Sequence, residues 1–378
     1  MYIEDRVPTE EGEELVLNMG PQHPSTHGVL RLELELDGEF LEGVRPHLGY
    51  LHRCFEKHAE EMSYRQVIPY TDRMDYLGAM SQEFGYALAV EKLAGIEPPP
   101  RVKYIRVIVN ELQRIASHLL ALGTFSLDLG SFTPFLYNFR DRERILDIFE
   151  ELSGGRLLYN YIWIGSVARD ISPDFPEKVK NFLDYFEDRI DEFDRILTFN
   201  RIFINRTADV GVIPEEEAID YGVTGPNLRG SGVKWDLRKE EPYSLYDELN
   251  FDVPVGQGAY GELGSAWDRY WVRIQEMRES MNIIRQLIDS IPSGDIHEAM
   301  PTSLQPPEGE VYMRTETPRG DLGYYIVSDG SNNPFRVKAR SPCLCSLSVL
   351  PKIAYGAMIA DAVTTVGSLD IVMGEIDR

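Results

Sequence analysis

The stretch NMGPQHPSTHGVLRLELELDGEF, residues 18–40, joins a loop with two histidines to a run of alternating apolar and polar residues. The apolar members of that run are Leu30, Leu32, Leu34 and Leu36. A period of two is typical of a strand with one buried face. Asp37-Gly38 then predicts a hairpin turn into a second strand around Phe40. The sequence therefore predicts a small antiparallel sheet over residues 15–50.

The two histidines of this loop, His23 and His27, are four residues apart. Such a pair shares a face only on a helix, and Pro24 and Gly28 disfavour a helix here. No glutamate follows His23, as a zinc-protease motif would require. The pattern therefore disfavours a metal site. It leaves open whether each histidine is structural, bonded to backbone, or an acid–base group.

The composition excludes several classes of protein. The chain has 378 residues and a formal net charge of −24, which argues against binding to nucleic acid or to bare anionic lipid. Its three cysteines, Cys54, Cys343 and Cys345, are too few for a four-thiolate iron–sulfur or nickel–iron site. Their sparse, odd number is typical of a reducing compartment. There is no GxGxxG or GxxxxGK[ST] loop for a dinucleotide or ATP.

The N-terminal residues and the hydropathy bear on localisation. Residues 1–14 are acidic and are predicted to form a loose tail, with no apolar region typical of a signal peptide. No run of 18 apolar residues is present, so no membrane-spanning segment is expected. If the protein works at a membrane, we expect other subunits to hold it there.

The middle of the chain has helical periodicity. Helices are predicted over residues 72–95, from residue 100 through 122, and over 138–152, 156–170, 176–199 and 265–290. Residues 205–262 read as long loops with one short helix near 215–221, within a helical core that spans 51–300. Strands are predicted at 311–317, 322–329 and 335–340, and a last helix from near Pro351, within a C-terminal segment over 308–378. The predicted fold class is α+β, in one structural domain.

Asp128 is the only charged residue between Ile115 and Phe139. A carboxylate in such an apolar stretch is expected to be buried and hydrogen-bonded. It is either a cap that binds backbone N–H groups in a turn or a partner for a histidine, and the sequence leaves both open. The segment TDRMDYLGAM, residues 71–80, predicts a helix start with Tyr76 one turn in. Arg53 is a surface residue, an ion-pair partner or a positive charge near an electron carrier.

Nine segments, in order, resemble the quinone-site subunit family of respiratory complex I, the NADH–quinone oxidoreductase. The segments are MGPQHPSTHGVLRL, GYLHR, PYTDRMDYL, AVEKLAGIEPPPR, LDLGSFTPF, LRGSGVKWDLRK, YDELNFDVPVG, DRYWVRIQEMRES and GSLDIVMGEIDR. The resemblance runs from about residue 15 to residue 378. It implies the fold of the nickel–iron hydrogenase large subunit, a core of long helices with small antiparallel sheets near both termini.

The resemblance also implies a role in a proton-pumping complex. Such a subunit holds no cofactor or metal; quinone is its substrate, and iron–sulfur clusters and FMN are in partner subunits. With the terminal iron–sulfur-cluster subunit it forms the quinone cavity, next to a second peripheral subunit and a membrane subunit. The resemblance implies that His27 and Tyr76 donate protons to quinone, that Asp128 partners His27, and that Arg53 lies near the terminal cluster. His23 is a second wall of the cavity or shapes the loop.

The implied location is the cytoplasmic face of a bacterial cell membrane, reached through partner subunits. The same subunit also occurs in ferredoxin- or deazaflavin-fed relatives, so the electron donor stays open. A hydrogenase large subunit is disfavoured, because Val372 and Glu375 replace its C-terminal thiolates. A purely structural scaffold is a further alternative. Two departures from the family pattern are a short 291–310 segment and Cys54, where small residues are more usual.

Overall fold

The first four strands form one antiparallel sheet, in which each strand pairs with the next along the chain. They are β1 (Glu4–Thr9), β2 (Gly12–Met19), β3 (Arg31–Asp37) and β4 (Phe40–His47). Leu34 lies opposite Leu17 on β2 and Val44 on β4, so the alternating residues build a buried face, as predicted. The predicted turn is also confirmed, because Asp37 pairs with Phe40.

The prediction of a loose tail over residues 1–14 is wrong for the part that can be compared. The computed structural model describes residues 4–9, 12–301 and 303–378. β1 and the start of β2 lie within the predicted tail and pair from Glu4 with Leu17 to Thr9 with Gly12. Ladder hydrogen bonds join backbone groups, so an acidic composition does not prevent pairing. Residues 1–3 and 10–11 lie outside the described residues.

Helices make up the middle of the chain. They are α1 (Phe55–Glu60), α2 (Tyr64–Thr71), α3 (Ala79–Ala94), α4 (Pro100–Asp128), α5 (Phe132–Ser153), α6 (Phe175–Phe193), α7 (Arg201–Thr207), α8 (Glu215–Asp220), α9 (Gly225–Gly230), α10 (Leu237–Glu240) and α11 (Ala266–Leu287). The face predicted from Ile105, Ile108 and Leu112 is fully buried in α4. The region 205–262 is more helical than predicted, since α9 and α10 join the expected α8.

The predicted helix over residues 72–95 begins later in the structure, at Ala79. Asp75 accepts hydrogen bonds from the backbone N–H groups of Leu77 and Gly78, both at 3.1 Å. These bonds hold a turn that ends where α3 starts, in the manner of a cap. Asp72 does not cap this helix, because its carboxylate binds the backbone of Asn160. Tyr76 is therefore on a turn between two helices.

The predicted helix over residues 156–170 is wrong. This segment forms a short hairpin of β5 (Ile162–Trp163) and β6 (Ser166–Val167). Gly165 at its turn has a φ of 65°, which glycine adopts without steric cost. The backbone N–H of Ile162 donates to Glu83 on α3, so its hydrogen bond goes to a distant side chain. Periodicity in a short apolar run did not distinguish strand from helix.

The C-terminal part contains a second antiparallel sheet and four short helices. They are β7 (Gly309–Thr317), β8 (Gly320–Ser328), β9 (Arg336–Arg340), α12 (Pro342–Ser348), α13 (Leu350–Ala354), α14 (Ile359–Leu369) and α15 (Met373–Asp377). The three predicted strands are confirmed, whereas the single last helix is replaced by several short ones. Small sheets near both termini around a helical middle confirm the α+β class.

Apolar packing brings the two ends of the chain together. Leu32 and Leu34 of the N-terminal sheet belong to the same buried cluster as Val366 of α14 and Met373 of α15. A separate buried cluster joins α3, α4, α5, α6 and α11. The loop between β2 and β3 therefore lies against the C-terminal helices, beside the end of α4.

Candidate functional site

The loop between β2 and β3 directs its two histidines differently. A single 3₁₀ turn spans Pro24–Thr26, and His23 caps it by accepting the backbone N–H of Ser25 at Nδ1, at 3.2 Å. His27 ends the turn with a φ of 50°, in the left-handed region. A non-glycine residue adopts this region at an energetic cost that functional sites often retain. His23 therefore shapes the loop, and the two histidines do not form a ligand pair.

His27 contacts Asp128 at the end of α4. The distance from His27 Nε2 to Asp128 Oδ2 is 2.9 Å, across 101 residues of sequence. The side chains are 14% and 8% exposed, respectively. Of the two interpretations of Asp128, the structure supports the histidine partner, and the predicted contact is confirmed. A carboxylate here orients the imidazole and stabilises its protonated form.

Gly367 of α14 lets the helix approach this pair closely. A β-carbon at Gly367 would lie 2.9 Å from Asp128 Oδ2 and 3.5 Å from His27 Nε2. A side chain there would press on the carboxylate that binds the histidine. The C-terminal helices therefore form one wall of the His27–Asp128 pair.

Tyr76 lies against the next part of the same wall. A β-carbon at Gly374 of α15 would be 3.5 Å from Tyr76 Cε1, while a β-carbon at Gly28 would contact Met373. Burial raises the pKa of Tyr76 above its usual value, and the negative charge of Asp75 adds to this. The phenol therefore stays protonated and keeps its hydrogen for donation. Tyr76 and His27 are thus on elements that contact adjacent residues of the C-terminal segment.

Arg53 lines a cavity of about 410 Å³ next to this segment. Tyr70, Met74, Gly374 and Arg378 also line it, so the cavity and Tyr76 have Gly374 in common. The positive charge of Arg53 acts to lower the pKa of Tyr76, against the effect of burial. The structure therefore brings Arg53 near Tyr76, although it does not show what Arg53 faces in an assembly.

A buried ion-pair cluster supports the turn that carries Tyr76. Arg319 donates to Asp75 Oδ2 at 2.7 Å, to Asp370 Oδ1 at 3.3 Å and to Ser117 Oγ at 3.1 Å. Burial raises the pKa of Asp75, whereas the guanidinium of Arg319 acts to lower it. The cluster ties the turn to α4 and to the residue after α14. Sequence reasoning did not find it, since its members are far apart in the chain.

Comparison with known proteins gives the family. A family model described as "Respiratory-chain NADH dehydrogenase, 49 Kd subunit" matches residues 128–304 and 296–378. The chain belongs to this family. It is 55% identical to a NADH-quinone oxidoreductase subunit of Chlorobium luteolum, over 97% of this chain and 94% of the relative. For the same subunit of Prosthecochloris aestuarii the identity is 53%, over 99% and 96%.

Membership of the 49 kDa subunit family identifies the chain as a subunit of NADH-quinone oxidoreductase, a multisubunit complex. In this member, Glu375 stands where hydrogenases have a thiolate. It accepts hydrogen bonds from Gln82 Nε2 at 2.7 Å and from Ser341 Oγ at 3.2 Å. Burial raises its pKa. The described residues contain no group of three or more His, Cys, Asp or Glu side chains arranged to hold a metal ion.

Cys54 of this family member has a left-handed backbone, with a φ of 56°. Small residues suit such a position, and glycine suits it best. The Cys54 Sγ lies 3.5 Å from His52 Nε2, and His52 Nδ1 donates to the backbone oxygen of Asp377 at 2.7 Å. Across the described part of the chain, no helix is both long and apolar enough to cross a bilayer.

Sequence reasoning also missed a set of buried charges along α4. Glu111, Arg114 and His118 are fully buried and step by three and four residues, so they share one face of the helix. That spacing was the available signal. It was hidden by the apolar residues of the neighbouring face, which gave the stronger pattern.

Proposed function

We propose that this chain supplies the proton donors of the quinone-reduction site. Quinone takes up two electrons and two protons, and an unprotonated dianion in an apolar cavity would be very costly. His27 and Tyr76 are suitable donors, because each carries a hydrogen that can meet a carbonyl oxygen. The observation that carries the proposal is the 2.9 Å contact between His27 Nε2 and Asp128 Oδ2.

Asp128 acts in this proposal as a positioning residue. Its carboxylate holds the His27 imidazole and stabilises the positive charge that His27 carries before it gives up its proton. When that charge is lost, the pair has less to hold it together. Rearrangement of Asp128 is then a first step in coupling the reduction to proton pumping.

The rest of the assignment concerns the partners. Arg53 would lie near the terminal iron–sulfur cluster of a neighbouring subunit, while His23 forms a further wall of the quinone cavity. This chain would hold no cofactor of its own; iron–sulfur clusters and FMN would be in partner subunits. Contacts with the iron–sulfur subunit, a second peripheral subunit and a membrane subunit would hold it at the cytoplasmic face of a bacterial membrane. On its own, the chain would be inactive.

The proposal is tested with Tyr76→Phe and His27→Ala in the assembled complex. Each change removes one donor from the site, and we expect quinone reduction to fall at least about 100-fold, as for the loss of a general acid. The matched control is Tyr221→Phe, at an exposed tyrosine on the residue after α8. Unchanged quinone reduction in both site variants, with normal assembly, would refute the catalytic role and favour a scaffold.

A further inference from the structure

Two buried carboxyl groups lie next to each other beneath the turn that carries Tyr76. Asp72 and Glu83 are both 0% exposed. Asp72 Oδ2 accepts the backbone N–H of Asn160 at 3.0 Å. Glu83 Oε2 accepts those of Tyr161 at 2.9 Å and Ile162 at 2.6 Å. Because the three donors are consecutive residues, the two carboxyl groups are side by side.

The remaining oxygen of each carboxyl group has no donor among the described residues. These oxygens are Asp72 Oδ1 and Glu83 Oε1, and both are inaccessible to solvent. The two side chains are nevertheless within hydrogen-bonding reach of one another. Two ionised carboxylates have only acceptors to offer, whereas a protonated carboxyl group is a donor. One proton between the two groups satisfies both oxygens.

The surroundings favour such a proton. Burial raises the pKa of Glu83 well above its usual value, and the charge of Asp72 adds to this; burial also raises the pKa of Asp72. Arg73, 3.9 Å from Asp72 Oδ2, is the cation facing the pair, and it is 47% exposed and therefore screened by solvent. The other titratable groups that face the pair are Tyr159, Tyr161 and Tyr324.

We propose that Asp72 and Glu83 share one proton, and that this proton holds the turn carrying Tyr76 against the backbone of residues 160–162. Tyr76 follows Asp72 by four residues, and Glu83 is in the first turns of α3, so the pair brackets the tyrosine in sequence. Loss of the shared proton would leave two adjacent buried negative charges, which repel and separate. Asp72 and Glu83 are therefore positioning residues. Their effect on quinone reduction rests on the proposed function, but the sharing of a proton does not.

Amide substitutions test the shared proton directly. In Asp72→Asn, the amide oxygen can accept from Asn160 while the amide nitrogen donates to Glu83. Glu83→Gln offers the mirror arrangement, in which the new amide nitrogen would donate to Asp72. Each single variant thus replaces the shared proton with a permanent N–H donor. The double variant places two amide N–H groups against each other, with no acceptor between them.

We expect each single variant of the full chain to unfold at a denaturant concentration close to that of wild type at neutral pH. The double variant should lose far more than the sum of the singles, by about tenfold in the unfolding equilibrium constant. Asp220→Asn, at an exposed carboxylate, is the matched control. Additive effects of the two substitutions, or single variants as damaged as the double, would overturn the proposal.

Two further measurements separate a shared proton from a merely structural contact. The folded chain keeps a proton that the unfolded chain loses above the usual carboxyl range. Wild type should therefore lose stability as pH rises from about 5 toward the folded-state pKa of the pair. Asp72→Asn should lack this loss. Wild type should also show the infrared carbonyl band of a protonated carboxyl group at neutral pH, and that band should disappear in either single variant.

An unchanged infrared band in both single variants, or an identical pH dependence in wild type and Asp72→Asn, would contradict the shared proton. These measurements use the purified full chain without quinone, so their outcome does not depend on the proposed function. In the assembled complex, rescue of the quinone KM by the single amide variants, together with a raised KM in the double variant, would show that the pair positions Tyr76. Normal KM in the double variant would limit the pair to stability.

Discussion

Two histidine–carboxylate pairs of equal length involve α4 and differ only in their surroundings. The distance from His27 Nε2 to Asp128 Oδ2 is 2.9 Å, and so is that from His118 Nε2 to Glu276 Oε2. The first pair is 14% and 8% exposed and lies at a loop, whereas both members of the second are completely buried. Hydrogen-bond length alone therefore does not assign a role to either pair.

The surroundings of the buried pair make it structural. Burial lowers the pKa of His118, and the charges of Arg273 and Arg114 lower it further, against the effect of Glu276. Glu276 also accepts a hydrogen bond from Arg229 Nε at 2.8 Å, and its own pKa is lowered by this guanidinium despite burial. His118 stays neutral and donates to a carboxylate that is held from a second side. The His27 pair lacks such enclosure, so a bound molecule can reach it.

The largest expected effect comes from breaking the buried pair with Glu276→Gln. This change keeps the volume but leaves Arg229 with less negative charge around it, and removing one partner of a buried ion pair costs about 3–5 kcal/mol. We expect that loss in the free energy of unfolding of the full chain, measured by chemical denaturation. Asp128→Asn is the matched comparison. Equal stability losses in the two variants would remove the distinction between the pairs.

Asp128→Asn should show the opposite profile. The pair is partly exposed, so we expect the free energy of unfolding to change by less than about 1 kcal/mol. Quinone reduction by the assembled complex should fall at least about tenfold, because the amide orients His27 but does not stabilise its positive charge. Wild-type turnover in a fully assembled Asp128→Asn complex would count against coupling through this residue.

The smallest expected effect is a change in pH dependence on replacing His118. Its folded-state pKa is lowered, so below about pH 6.5 the unfolded chain binds a proton that the folded chain does not. Stability from this group is therefore present above that pH and is lost as pH falls, at up to about 1.4 kcal/mol per pH unit. His118→Gln should show a smaller loss between pH 7 and 5 in denaturation experiments. Superimposable pH profiles for the two proteins would contradict this assignment.

The elements predicted well are those whose signal is local. The leucines of β3 alternate because neighbouring side chains of a strand point to opposite faces, and the structure buries them as expected. Asp128 could be singled out since no other charge is near it in the chain. The start of α3 was misplaced because Asp72 binds a backbone group 88 residues away, which no local pattern reveals.

The sequence by itself determined the α+β class, the long helices, most strands and membership of the 49 kDa subunit family. These follow from side-chain periodicity and from ordered motifs, which are properties of neighbouring residues. Only the tertiary structure decided that His23 caps its own loop, that His27 meets Asp128, and that His118 is enclosed with Glu276. Pairing between distant residues and the burial that sets their charge arise when helices and sheets pack, so the same two residue types acquire different roles.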